Sequence, residues 1–399
     1  MSLHIADRRE RALVATADRI LGAVTAMARP FRRRARPRAP KRILVLRLER
    51  IGDLLMTLPA LADLRILAPD AEIDLAVGSW NADLAHAIDP VTRVQSLDAR
   101  WLARENQGKN LPALIREARL WRETPYDLAI NFEPDIRSNL ILAASGAAWT
   151  AGYRSGGGGS LLDLAIEYET RAHTTDNARR LVSTIFETSA PDDIVPTLVV
   201  PSEAQEVASR LVSTDTRPLI GIHVSGGRAI KQWPTERFTA VARRLVETCG
   251  ASIVLTGSEA DRDLVESIKA ALPVAHVVDI AGHANLITLA GVLERLDLLI
   301  TGDTGPMHLA VAVGTPVVAV FGPSDPARYG PCGPHDRVVR VDLPCSPCNR
   351  IRRPPERCVG HTPDCLASIG PEKVYDAARS VLDDAARSGN MPARTSTPA

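Results

Sequence analysis

The sequence predicts an α/β protein built from two parallel-sheet halves, and three observations carry that prediction. From Arg42 onward, short apolar strands alternate with helical segments, the punctuation of βαβ units and so of a parallel sheet. A stretch rich in Pro, Ser, Thr and Asp, Ser189–Pro218, interrupts the alternation, which then restarts. Finally, the apolar strands run out into glycine, acid, hydroxyl and imidazole groups, most densely in "TGDTGPMHLA" from Thr301. In open α/β sheets, ligands sit beyond the carboxyl ends of the strands, where helix N-termini point at them.

The first 40 residues stand apart from this pattern. Residues 1–42 hold twelve Arg and Lys against Asp7, Glu10 and Asp18, a balance of +9 in a chain whose net charge is +1. The remaining body is therefore about −8. Leu13, Ala17, Ile20, Val24 and Met27 recur at helical spacing, followed by the proline-broken basic run "RPFRRRARPRAP". An amphipathic helix with a polybasic tail suits peripheral docking on an anionic membrane surface. The plainer reading is a solvated, disordered basic extension, and nucleic acid is a weaker partner for the same charges. Asp18 and Arg19 break any secretory signal, and no apolar run approaches the roughly 18 residues of a membrane span. The expected location is cytoplasmic, peripheral to the membrane at most.

Residues 41–190 read as the first domain. "RILVLRL" is a buried strand and "DLLMTLPALADLRILA" a helix; "EIDLAV", "DLAINF" and "WTAGYR" are further strands. "SGGGG", Ser155–Gly159, has no side chains to pack and is expected to be a mobile loop over a cleft. Residues 191–217 are a linker. Residues 218–370 form the second domain, with "PLIGIHVS", "SIVLTG", "LDLLITGD" and "PVVAVFG" as strands and helices starting at Thr235 and Glu259. A final helix spans 371–388, and 389–399 is a disordered tail.

Four motifs lie where strands end. In "RLERIGDLLMTLPAL", Asp53 follows a strand at a helix start, so it is either a helix cap or a carboxylate available as general base to a hydroxyl. In "GIHVSGGRAIKQWPTERF", Ser225, Gly226 and Gly227 offer a hydroxyl and backbone N–H groups suited to phosphate oxygens, with Lys231 as a cation. The spacing is not that of a P-loop. Glu259 in "LTGSEADRD" is either a first-turn acid or an acceptor for ribose hydroxyls. "DRD", Asp261–Asp263, falls inside a predicted helix and is set aside as a metal motif. Asp303, Thr304, Gly305 and His308 make the fourth group; singly each reads as a cap or packed polar residue.

Together, "RLERIGDLLMTLPAL", "KQWPTERF" and "DTGPMHLAVAVGTPVVAVFGPSDPARYGP" resemble the signature segments of glycosyltransferase family 9, the ADP-heptose:lipopolysaccharide heptosyltransferases, from about Lys41 to the final helix. The resemblance implies a GT-B fold, two Rossmann-like domains with parallel sheets facing across a cleft. It implies an inverting, metal-independent transfer of heptose from ADP-heptose to a lipopolysaccharide inner-core acceptor, with no cofactor. Asp53 would be the base; Ser225, Gly226, Gly227, Lys231, Glu259, Asp303, Thr304, Gly305 and His308 would bind the donor. Arg50 and Arg137 would lie on the acceptor side. The turn after "DLAINF" reads "EPDIRS", where the family has a Gly-Asn-Leu-Arg-Ser-like turn; only Arg137-Ser138 is retained. Two other readings stay open: the same fold moving another nucleotide sugar to another glycan or lipid, and a non-catalytic nucleotide-sugar-binding module. A Rossmann oxidoreductase is disfavoured because no G-x-G-x-x-G follows the first strand.

Five of the six cysteines fall late, including Cys345, Cys348, Cys358 and Cys365. A CxxC with two further cysteines permits a structural zinc site, and a metal-free thiol-rich loop is the alternative.

Overall fold

The computed structural model describes residues 8–28, 35–103, 107–191, 198–214, 216–351 and 353–387. The chain divides into two compact units, Met1–Leu198 and Val199–Ala399.

In the first unit six strands form one sheet: β1 (Arg42–Leu46), β2 (Glu72–Val77), β3 (Arg93–Ser96), β4 (Leu128–Asn131), β5 (Trp149–Tyr153) and β6 (Leu164–Ile166). Their order is β3-β2-β1-β4-β5-β6, every neighbouring pair parallel. The second unit repeats the plan with β7 (Leu219–His223), β8 (Ser252–Thr256), β9 (Val277–Asp279), β10 (Leu298–Gly302), β11 (Val317–Val320) and β12 (Arg337–Val339). Its order is β12-β11-β10-β7-β8-β9, again all parallel. Both sheets thus have the doubly wound Rossmann order, which reverses direction between β1 and β4 and between β7 and β10.

Central strands such as "LIGIH" and "VVAV" are buried throughout, because helices cover both sheet faces and no side needs polar residues. The strands absent from the sequence reading are the outer ones. β3, β6, β9 and β12 are short and only partly buried, so they carry no continuous apolar run. In the second unit Trp233 and Phe238 meet edge to face at 4.8 Å within the core, and the Trp233 indole N–H donates to the Ile369 carbonyl at 3.1 Å.

Two expectations need correction. Within the stretch read as a linker, Ser202–Leu211 is a helix. Its Ala204 and Ala208, one turn apart, are buried against Gly291, where an added Cβ would lie 3.0 Å from the Ala204 carbonyl oxygen. The small residues that looked like linker composition are a close helix contact. The "SGGGG" segment is no open mobile loop either, for Ser155 to Gly158 are buried. A Cβ on Gly156 would fall 1.8 Å from the Pro134 carbonyl oxygen, and Gly157 and Gly158 have φ of +91° and +74°. The missing side chains let backbone, rather than water, approach. The N-terminal extension is the helix that its apolar spacing predicts, from Arg8 to Ala28, and it packs on this glycine segment: Gly158 N–H donates to Asp18 Oδ1 at 2.6 Å. Residues 29–34 of the basic run, 192–197 of the linker and the tail beyond 387 lie outside the described residues. Among the described residues no helix is long and apolar enough to cross a membrane.

The glycine segment yields a test. Gly156→Ala places a methyl group where the Pro134 carbonyl stands, so the N-terminal unit should lose about 1–3 kcal/mol, the usual cost of overpacking. Chemical denaturation followed by a probe in that unit measures it, and unchanged stability would mean the segment yields freely.

Candidate functional site

Where strand order reverses, the helices on either side leave on opposite sheet faces, and the strand ends between them stay open to a ligand. In the second unit those ends are β7 and β10. After β7 the chain passes through Ser225, Gly226 and Gly227 to the short helix Ala229–Lys231. A Cβ on Gly226 would lie 2.7 Å from Gln232 N and 2.9 Å from the Arg228 carbonyl oxygen, so the loop folds tightly on itself. Gly227, at φ +63°, is exposed. The fold of this loop delivers Lys231 to Asp303, just past β10, with Nζ and Oδ2 2.7 Å apart and both side chains mostly buried.

Beyond Asp303, Thr304 stands at the N-cap of the helix Gly305–Ala312 but makes no side-chain capping bond. Its hydroxyl meets that of Thr301 at 3.1 Å instead. The first turn of this helix therefore keeps its amide dipole directed at whatever lies past β10, a setting that favours an anion. His308, one turn into the helix, is buried. Of the expected donor residues, the structure brings Lys231 and Asp303 into contact and sets Thr304, Gly305 and His308 directly behind them.

Glu259 is placed differently. It follows β8, is exposed, and is held by Arg262 through two bonds of 2.8 and 2.6 Å; this pairing keeps its carboxyl below the ordinary glutamate value. Asp261, set aside in the sequence, accepts from Ser258 N at 2.8 Å and Ser258 Oγ at 2.6 Å. Burial opposes its charge, but these bonds and one from Ser225 keep it below the usual aspartate range. Asp261 thus holds Ser258 at the β8 exit and also interacts with the hydroxyl of the β7 loop.

In the first unit the reversal falls between β1 and β4, and its hub is Arg47, which sequence reading treated as one more strand residue. Arg47 is buried; NH1 donates to the Phe132 carbonyl at 2.6 Å and Nε to the Asp53 carbonyl at 3.1 Å. Its guanidinium pairs with Glu49 at 2.9 Å and, more loosely, with the Asp53 carboxylate at 3.7 Å. Burial works against this cation, but Glu49, Asp53 and Glu133 outweigh it and hold Arg47 protonated. Burial pushes Glu49 above the ordinary carboxylate range, with Arg47 opposing. Glu133 is raised in the same way. The Glu133 carboxylate accepts from Leu48 N and, at 3.1 Å, from Glu49 N, tying the β4 exit to the β1 exit.

Asp53 occupies the third position of the helix Ile51–Leu55, and its Oδ2 accepts from Arg50 N at 3.3 Å. The cap reading is therefore part of its role. Arg50 is exposed. Arg137 is held by Asp135, Nε to Oδ1 at 2.9 Å, and lies over the Trp101 ring at 4.6 Å. Asp135 also caps the helix Ile136–Ala144. The acids of "EPDIRS" are thus explained: Glu133 clasps the β1 loop, and Asp135 caps a helix and aims Arg137.

The zinc expectation is corrected. Cys345, Cys348, Cys358 and Cys365 do line one cavity of about 30 Å³, but among the described residues no group of three or more His, Cys, Asp or Glu is arranged to hold a metal ion. Burial first, then the three neighbouring cysteines, push the Cys365 thiol up to about 11.

Two Rossmann-ordered sheets with their polar side chains gathered at the switch points define the GT-B class of glycosyltransferase. The chain belongs to glycosyltransferase family 9 (heptosyltransferase), whose sequence profile matches residues 115–358. It is 26% identical over 310 residues to lipooligosaccharide heptosyltransferase 2 of Haemophilus influenzae, covering 73% of this chain and 86% of that one. It is 26% identical over 358 residues to lipopolysaccharide heptosyltransferase 2 of Salmonella typhimurium, covering 86% and 99%. In fold it matches the Escherichia coli ADP-heptose lipopolysaccharide heptosyltransferase II with a TM-score of 0.70 at 23% identity, over 86% of this chain and 99% of that one. An E. coli heptosyltransferase solved with ADP matches with a TM-score of 0.67 at 19% identity, over 85% and 99%.

His223, the last residue of β7, escaped the sequence reading because only its position at the switch point distinguishes it. Its Nδ1 meets Thr256 Oγ1 at 3.0 Å, and burial lowers its pKa from 6.5 to about 4. The folded state keeps it neutral while the unfolded chain protonates, so its contribution is whole above pH 6.5 and is lost as pH falls toward about 4. At about 1.4 kcal/mol per pH unit, the loss reaches about 3 kcal/mol. Denaturation of wild type and His223→Asn across this range should show a steeper decline in wild type; parallel curves would contradict a buried neutral imidazole.

Proposed function

We propose that this chain transfers heptose from ADP-heptose to an inner-core acceptor of lipopolysaccharide, with inversion and without a metal cofactor. The observation that carries the reading is the Lys231–Asp303 pair, which joins two strand ends at the β7/β10 switch point in front of the helix Gly305–Ala312. A lysine ammonium, glycine-loop amides and a helix N-terminus are the groups that a diphosphate needs. That the relatives are lipopolysaccharide and lipooligosaccharide heptosyltransferases supports a lipopolysaccharide substrate.

In the proposed reaction, Asp53 takes the proton of an acceptor hydroxyl as its oxygen attacks the anomeric carbon from the face opposite the nucleotide. The bond from that carbon to the β-phosphate oxygen breaks, and its electron pair leaves with ADP. Lys231, the amides of Gly226 and Gly227, and the dipole of the helix Gly305–Ala312 meet the departing charge. Ser225, which interacts with Asp261, adds a hydroxyl. Glu259, oriented by Arg262, receives the ribose hydroxyls with its remaining lone pairs. Asp303 holds Lys231 in place before the donor arrives. Arg50 and the Arg137–Trp101 pair offer cations to an anionic acceptor.

Two variants separate the roles. Lys231→Ala should weaken ADP binding by roughly 10- to 100-fold, the range of a charge-assisted hydrogen bond, and leave adenosine almost unaffected. Equal losses in calorimetry would take Lys231 out of the phosphate site. Asp53→Asn keeps a side-chain oxygen for Arg50 N, so stability should hold within about 1 kcal/mol and ADP affinity should survive. Heptose transfer should fall by roughly 10²- to 10⁴-fold, the usual contribution of a positioned base. A near wild-type rate would leave Asp53 as a cap alone.

A further inference from the structure

We propose that the N-terminal helix Arg8–Ala28 is a membrane foot. One face grips the glycine segment of the first unit, and the adjoining apolar face, set among arginines, enters an anionic lipid surface.

The gripping face is explicit. A Cβ on Gly157 would lie 2.6 Å from Val14 Cγ1, so Val14 packs directly on that glycine. Asp18 accepts from Gly158 N–H. Thr25 is buried, its hydroxyl donating to the Leu21 carbonyl at 2.8 Å. Leu13, Ile20, Val24 and Met27 do not take part: they are 73, 60, 54 and 74% exposed. At about 3.6 residues per turn these four fall on one stripe, roughly a third of a turn round from Val14, Asp18 and Thr25. A helix on a water-soluble body ordinarily turns its apolar stripe inward. This one is held by a different face.

Charge selects the occupant. Arg9, Arg11 and Arg19 are exposed on the helix, and residues 29–42 add eight Arg and Lys with no acid. An apolar stripe among cations suits immersion at the boundary between anionic headgroups and acyl chains. A second copy of the chain would bring the same positive charge against itself, and nucleic acid would leave the stripe without a partner.

The placement has a consequence at the site. Gly156 abuts Pro134, the turn continues into Asp135 and Arg137, and against burial Asp135 first, then Glu10 on the helix, keep Arg137 protonated. Helix, glycine segment and β4 turn are one packed assembly, so the foot would hold that turn at the lipid surface. The docking stands by itself; its use in meeting a lipid-anchored acceptor rests on the proposed transfer.

The test is flotation of the full-length protein with vesicles of phosphatidylethanolamine and phosphatidylglycerol, compared with phosphatidylcholine alone. Binding should be confined to the anionic vesicles and should weaken with salt. Ile20→Ser/Val24→Ser should lower partitioning by roughly tenfold or more, and replacing Arg32, Arg33 and Arg34 with Gln should lower it while reducing the salt dependence. Unfolding midpoint and ADP affinity should be unchanged in both variants. Wild-type protein that stays unbound, or a serine variant that floats as well as wild type, overturns the proposal. A wild-type dimer that the serine variant dissociates overturns it too, by assigning the stripe to self-association. Failure of ADP to bind wild type would count against the transfer reading and leave the flotation result intact.

Discussion

A parallel sheet whose strand order reverses cannot cover all of its strand ends, and this constraint governs the whole chain. On either side of the reversal the connecting helices depart to opposite faces, which leaves the carboxyl ends of the two central strands open. Here the rule operates twice, at β1/β4 and at β7/β10. Most of the polar chemistry assigned to the chain lies at those four strand ends. The central strands can be wholly apolar because hydrogen bonds within the sheet satisfy their backbone and helices cover both faces. Polarity is then confined to where it can act.

The two switch points solve different electrostatic problems. At β7/β10 one cation, Lys231, is balanced by one acid, Asp303, and a helix N-terminus adds partial positive charge. At β1/β4 one buried cation, Arg47, faces three acids, Glu49, Asp53 and Glu133. A buried guanidinium is costly to desolvate and tolerable only when paired and hydrogen-bonded. Arg47 meets that condition by taking the carbonyls of Phe132 and Asp53 as well as carboxylate. The outcome is rigidity: the β1 exit, the β4 exit and the backbone of Asp53 are all fixed to one planar group.

Much of this was legible in the sequence, and the reasons differ residue by residue. Asp53, Lys231 and Asp303 could be read because each follows a buried strand in a distinctive motif. Trp233 and Phe238 belong to the same motif but serve the core beneath the loop, which is why "KQWPTERF" carries both site and scaffold. Arg47 was hidden because a long cation inside an apolar run reads as a strand edge; the Phe132 carbonyl that fixes it lies 85 residues away, just past β4. Glu133 and Asp135 looked like departures from the family turn, since clasping another loop and capping a helix are tertiary tasks. The glycine segment misled for a related reason. Glycine marks either mobility or close approach, and the partner that decides between them, the helix Arg8–Ala28, lies more than a hundred residues earlier. The four late cysteines could be seen to gather, but the distances that metal binding demands are not written in their spacing.

The choice between cap and base at Asp53 is narrower than the sequence made it. A carboxylate has about four lone-pair sites. Capping uses one, and at 3.3 Å from Arg50 N it is a long bond. Arg47 approaches the other oxygen at 3.7 Å, an ion pair without close hydrogen-bond contact, while it binds the Asp53 carbonyl more tightly at 3.1 Å. The backbone is gripped firmly and the carboxylate loosely. The helix it sits in, Ile51–Leu55, is only five residues long, so its dipole adds little hold on the charge. A side chain that is about a third exposed, located by two contacts and saturated by neither, keeps lone pairs for the acceptor hydroxyl of the proposed transfer. Capping then sets the direction of the carboxylate without consuming its capacity to accept a proton.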